Sequence, residues 1–161
     1  TWLSLQGNLP SVPVHDMAIQ QREKELVIAT HGRGIWTLDI SGLQGCPQKV
    51  QKKAVDLIQP KQVAVYRKLP VRYPWGGHAI FKVPNPPAMA VIHYWLKSEV
   101  SDALTVEILN GKSKVVRKLK VKNSKGLHRV TCPPPSGKGS FTVRLQTGKT
   151  TITRKLEVVA K

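Results

Sequence analysis

Lys114, Lys118, Lys120 and Lys122 recur on one side of a segment that alternates like a strand, Val115 to Val121, whose other side turns Leu119 and Val121 inward. At about 3.3 Å per residue their ammonium groups would line up over roughly 25 Å. Such a stripe attracts polyanions by releasing their counterions, with an affinity that falls steeply as salt rises. The same pattern also serves as a solvated edge that keeps sheets from joining. Binding of single-stranded nucleic acid is disfavoured, because no aromatic side chain falls between Lys114 and Lys125 for a base to stack on. Arg33 and His31 sit at the tip of a two-glycine turn, either facing a ligand or serving the turn itself. Trp75, beside Gly76-Gly77, reads as a sugar or partner contact or as a core residue. Cys46 and Cys132 allow one disulfide in an oxidising compartment, or two buried thiols.

Catalytic chemistry finds no footing. Asp56, Glu99, Asp102, Glu107 and Glu157 are scattered without a paired spacing, whereas glycoside hydrolysis needs two carboxyl groups across a cleft. His15 and Asp16 are adjacent, so in a regular strand they point to opposite faces; only a bulge would bring them together. No nucleophile elbow, phosphate loop or zinc-protease motif is present. Gly137-Lys138-Gly139-Ser140 lacks the glycine spacing and the following helix of a phosphate loop. There is no Cys-x-x-Cys or His/Cys cluster for structural zinc. The expectation is a chain with no enzymatic activity of its own and no cofactor or metal.

The formal net charge of +17 is unevenly distributed. Residues 1–45 hold Arg22, Lys24 and Arg33 against Asp16, Glu23, Glu25 and Asp39, a net −1, which leaves +18 for the remainder. A near-neutral head and a strongly basic tail suggest two units with different surfaces. Partners of opposite charge, an acidic protein or an anionic glycan, suit the tail. No apolar run is long enough for a transmembrane helix. Twelve prolines and twelve glycines argue for many turns and against long helices.

The elements that would position these residues are strands. Val14 to Ile19, Leu26 to Thr30 and Ile35 to Ile40 read as consecutive strands, joined by a polar turn and the two-glycine hairpin. Asp39 before Ser41-Gly42 is a natural Asx turn. Residues 41–86 read as a connector, with a short polar helix or turn in Lys49 to Leu57 and a brief strand at Val63 to Tyr66. From residue 87 onward, short strands alternate with turn signals in the manner of a β-sandwich. Ala90 to Leu96, apolar on both alternations, suits a central strand, and Asn110-Gly111 suits a two-residue hairpin turn. The expected fold class is all-β.

Several motifs add a family likeness. Trp2-Leu3-Ser4-Leu5, Asn8-Leu9-Pro10, Pro13-Val14-His15-Asp16 and Ala29-Thr30-His31-Gly32-Arg33-Gly34-Ile35-Trp36 together resemble one blade of a sortilin-like or BNR-repeat β-propeller, with Ala29 where glycine is common. Trp36-Thr37-Leu38-Asp39-Ile40-Ser41, Leu57-Ile58-Gln59-Pro60, Asn85-Pro86-Pro87 and Tyr94-Trp95-Leu96 resemble the exit from propellers of the glycosyl-hydrolase-like branch. The tail resembles the immunoglobulin-like or fibronectin-like domain that follows them, with Cys132 in place of a tryptophan and Phe141 in place of a tyrosine. This resemblance implies a partial last blade over 1–40, a connector over 41–86 and an immunoglobulin-like sandwich over 87–161. It implies the noncatalytic C-terminal interaction segment of an exported protein (periplasmic, cell-surface or extracellular), completed by upstream blades or a partner chain. The end of a secreted glycoside hydrolase with its acids upstream, and a basic polyanion-binding module, are the alternatives.

Overall fold

The computed structural model describes residues 8–65 and 88–160, of which 53% are strand and 6% helix, so the protein is mostly β. The strands form three sheets. The chain divides into two compact units between Pro47 and Gln48.

The first unit is an antiparallel meander of β1 (Val14–Gln20), β2 (Glu25–Thr30) and β3 (Ile35–Asp39), in that order. Its register sets Met17, Ile28 and Trp36 side by side, and likewise Ile19, Leu26 and Leu38. Directly opposed residues share a face, so these six make one wholly apolar side. That side is not closed over: Met17 is 62% exposed and Ile19 45%. Gly32 (φ 68°) and Gly34 (φ 77°) supply the left-handed positions of the β2–β3 turn. The indole N–H of Trp36 donates to the Arg33 carbonyl oxygen (3.0 Å), and the Thr30 hydroxyl to that of Gly34 (2.7 Å). Asp39 Oδ1 accepts the Ser41 N–H at 2.9 Å, the expected Asx turn, and the single-turn helix α1 (Ser41–Gln44) follows.

In the second unit, a short helix α2 (Gln48–Gln51) leads to eight strands. One sheet has the order β4 (Val55–Leu57), β6 (Ala90–Leu96), β9 (Gly126–Cys132). The other runs β5 (Val63–Val65), β11 (Thr150–Ala160), β10 (Gly139–Thr147), β7 (Leu104–Leu109), β8 (Val115–Leu119). All neighbours are antiparallel except β5 and β11, which run parallel with Val63 opposite Val158. Leu57, Ile92, Tyr94 and Leu96 from the first sheet and Val106, Ile108, Val143, Leu145 and Leu156 from the second form one core. Each of these side chains is at most 1% exposed. β6 is the central strand of its sheet, as its apolar alternation predicts. Leu119, Val121 and Phe141 pack against the core, and Cys132 lies within it.

Three expectations are corrected. The stretch read as a connector contributes β4 as well as the brief strand expected at Val63, and both enter the core through Leu57 and Val63; the unit therefore begins near Gln48 rather than at residue 87. The strand read as Val115 to Val121 ends at Leu119, and a register shift between Ile108 and Leu109 interrupts its pairing with β7. The β7–β8 connection is longer than two residues. Asn110 Oδ1 accepts the N–H groups of Lys112 and Lys114 (both 3.0 Å), and Ser113 rather than a glycine takes the left-handed position (φ 58°). The leading Trp2-Leu3-Ser4-Leu5, Trp75 and Asn85-Pro86-Pro87 lie outside the described residues.

An ion cluster joins the two sheets at one end. Asp56, 4% exposed on β4, accepts from its neighbour's Leu57 N–H (2.9 Å), from Lys53 Nζ (2.6 Å) and from Arg154 Nη2 of β11 (3.3 Å). Both cations are partly solvated, so removing the carboxylate loses charged hydrogen bonds without leaving a buried charge. Asp56→Ala should cost about 2 kcal/mol in urea unfolding. Ser113→Gly should instead add about 0.5–1 kcal/mol, since a left-handed backbone is strained for serine and free for glycine. A Ser113→Gly midpoint below wild type would contradict the assigned turn.

Candidate functional site

The four lysines of the sequence stripe are all exposed, but they do not share one environment. Lys114 closes the β7–β8 turn through its backbone. Lys118 stands opposite Glu107, with its Nζ 3.9 Å from Oε1. Glu107 is drawn more strongly to the other side, where Arg144 donates to Oε2 through Nη2 (2.6 Å) and Nε (3.2 Å). The row Lys118–Glu107–Arg144 thus crosses three neighbouring strands, and a carboxylate that is 12% exposed partly offsets its two cations. Lys120 and Lys122 lie past the end of β8 and line a cleft with Tyr94, His128 and Arg129. The expected 25 Å stripe is therefore broken by the end of β8 into a turn lysine, an ion-paired lysine and a cleft pair.

Tyr94 organises that cleft. Its ring is buried (1% exposed), yet its hydroxyl donates to the Lys122 carbonyl oxygen at 2.7 Å and accepts the Lys122 N–H at 2.8 Å. One buried hydroxyl thus satisfies both backbone groups of a residue whose side chain reaches solvent. The ring stacks on that of His128 (centroids 5.0 Å apart, planes 25° apart), and His128 Nε2 donates to the Ser124 carbonyl oxygen at 2.6 Å. Burial pushes the Tyr94 phenol above its ordinary value, with the Lys122 N–H bond pulling the other way.

In the first unit the strand does bulge, between Val14 and Asp16, but the bulge does not make an acid–base pair of His15 and Asp16. The Asp16 carboxylate accepts the Met17 N–H (2.8 Å), and His15 turns instead to His31. Their rings stack at 5.0 Å, with His31 Nδ1 and His15 Nε2 3.1 Å apart. This contact was not legible in the sequence, because sixteen residues and a bulge separate the two imidazoles. Among the described residues no three His, Cys, Asp or Glu side chains gather as metal ligands. The Arg33 side chain is exposed at the hairpin tip, and its carbonyl is used by Trp36. Trp75 is outside the described residues.

Cys46 and Cys132 are both buried and are not joined in a disulfide. Burial raises the Cys132 thiol, and the nearby Arg117 charge only partly opposes it, which suits a packing residue better than a nucleophile. Asp56 and Glu107, two of the scattered acids, are held in cation clusters on different sheets.

Because the folded protein favours neutral Tyr94, its contribution is complete below the ordinary phenol value of about 10 and fades as pH rises from there toward the folded value. Urea midpoints across pH 8–11 should fall more steeply for wild type than for Tyr94→Phe. At neutral pH the phenylalanine variant should lose about 1–3 kcal/mol, since the Lys122 backbone groups lose their partner. Parallel pH profiles would remove the phenol from the account. No family model, curated protein or solved structure matches this chain.

Proposed function

We propose that this chain is a noncatalytic interaction segment of an exported β-propeller protein of the sortilin-like or BNR type, combining part of a propeller blade with an immunoglobulin-like or fibronectin-like sandwich. The observation that carries this reading is the uncovered face of β1–β3. Six apolar residues in register form one side of a three-stranded antiparallel meander, and Met17, Ile19 and Leu38 remain exposed on it. A sheet this small is marginal without a second layer. A neighbouring blade, upstream in the parent chain or on a partner chain, supplies that layer in a propeller.

The second unit supports the sandwich half of the reading. If β4 and β5 are two halves of a first strand that changes sheets, the rest follow as β6 (B), β7 (C), β8 (C′), β9 (E), β10 (F) and β11 (G). The orders then become A-B-E and A′-G-F-C-C′, the connectivity expected of that class. The inter-sheet disulfide of antibody domains has no counterpart in a chain with two cysteines that are not bridged. In this reading the basic second unit contacts an acidic protein or an anionic glycan, and no catalytic group is required of it.

The test is at the apolar face. The chain alone should associate with itself or take up an apolar dye, and Met17→Glu with Leu38→Glu should abolish both while leaving the melting of the second unit unchanged. Unaltered association in the double variant would sink the blade reading.

A further inference from the structure

We propose that the cleft beside the end of β8 and along β9 is a binding site for one compact anionic group, a sulfate or a carboxylate, carried on a sugar of an anionic glycan. The proposal rests on the reading of the second unit as an interaction module and names the ligand of its basic surface. The cleft holds about 310 Å³, at the small end of the range for ligand sites. Among the described residues, Lys120, Lys122, His128 and Arg129 line it, and no Asp or Glu does. Elsewhere on this unit several cations are offset: Lys118 and Arg144 by Glu107, Lys53 and Arg154 by Asp56, and Lys155 by Glu157. The cleft cations have no such partner among its walls.

The place also explains the concavity. β8 ends one sheet and β9 ends the other, so the two edges border the opening of the shared core. Lysines that merely guard an edge splay into solvent. Here the chain after β8 is drawn inward, because the buried Tyr94 hydroxyl holds both the N–H and the carbonyl of Lys122. His128 is likewise fixed, by its stack on Tyr94 and its bond to Ser124. A wall set before the ligand arrives lowers the ordering cost of binding.

Size and lining select the class of ligand. A nucleic-acid strand needs exposed aromatic platforms along a continuous groove. Tyr94, the aromatic ring at this site, is buried. Eight of the described residues bound the cleft, whose volume holds one charged group and the sugar that carries it but not an extended peptide.

The test uses the isotope-labelled full chain, titrated separately with a heparin tetrasaccharide, a hyaluronan tetrasaccharide, inorganic sulfate and a glutamate hexapeptide. The expected result is amide shifts centred on residues 120–122 and 126–130 with one or both oligosaccharides. Preference for heparin would assign sulfate, and preference for hyaluronan would assign carboxylate. Lys120→Gln with Lys122→Gln should weaken that binding by about tenfold or more, as the loss of a charged hydrogen bond implies. Lys112→Gln with Lys149→Gln, which removes the same charge from two turns, should change it less than twofold. Equal loss in both double variants, shifts centred elsewhere, or tighter binding of the glutamate peptide would overturn the cleft while leaving a basic interaction surface standing. Absence of binding to all four probes would overturn both.

Discussion

A phenolic hydroxyl buried in an apolar core must find partners or destabilise the fold, and in this protein Tyr94 meets that demand in one place. Its oxygen both donates to and accepts from the backbone of Lys122. The bond ties the segment after β8, the edge of the five-stranded sheet, to β6, the centre of the three-stranded sheet. The two sheets share apolar side chains, but among the described strands none of one sheet pairs with a strand of the other, so such side-chain ties set how their edges meet. Asp56 does the same work at β4 and β11, reaching Arg154 across the sheets. Core, sheet alignment and the basic cleft are consequences of the same few buried polar groups.

The two units solve the burial problem differently. The second unit closes its apolar alternation onto itself, so that residues from seven strands pack in one cluster. Among its described residues the first unit has three strands and six aligned apolar residues with no second layer of its own, which leaves methionine and isoleucine side chains in water. Hydrophobic burial is worth roughly 25 cal/mol per Å², so an uncovered face of this kind is a strong driving force for association. The head of the chain thus leaves apolar side chains exposed where the tail buries its own.

Charge follows the same division. A surplus of +18 beyond residue 45 would repel itself on a compact unit, and the few carboxylates available are placed where cations crowd. Glu107 sits between Lys118 and Arg144, and Asp56 between Lys53 and Arg154. Glu107 is a counter-charge across three strands of one sheet, and Asp56 one between the two sheets. Lys120, Lys122 and Arg129 stand together at a cleft with no Asp or Glu among its described lining residues.

Local pattern alone determined a good deal. Apolar residues in short runs between turn signals located β1, β2, β3 and β6, because strand patterning is a property of adjacent positions. The glycines at 32 and 34 announced the hairpin, and Asp39 announced its Asx turn, since both act within a few residues. Tertiary structure decided whatever depended on distant partners. β4 is a three-residue strand, too short to show a period, and exists because β6 offers it an edge. Ser113 holds the left-handed turn position that Gly111 seemed made for, because Asn110 captures the N–H groups of Lys112 and Lys114. The lysine stripe, continuous in sequence, breaks where Tyr94 reaches across 28 residues to seize the backbone of Lys122. A hydrogen bond formed over that separation leaves no periodic trace in the chain, and only folding reveals it.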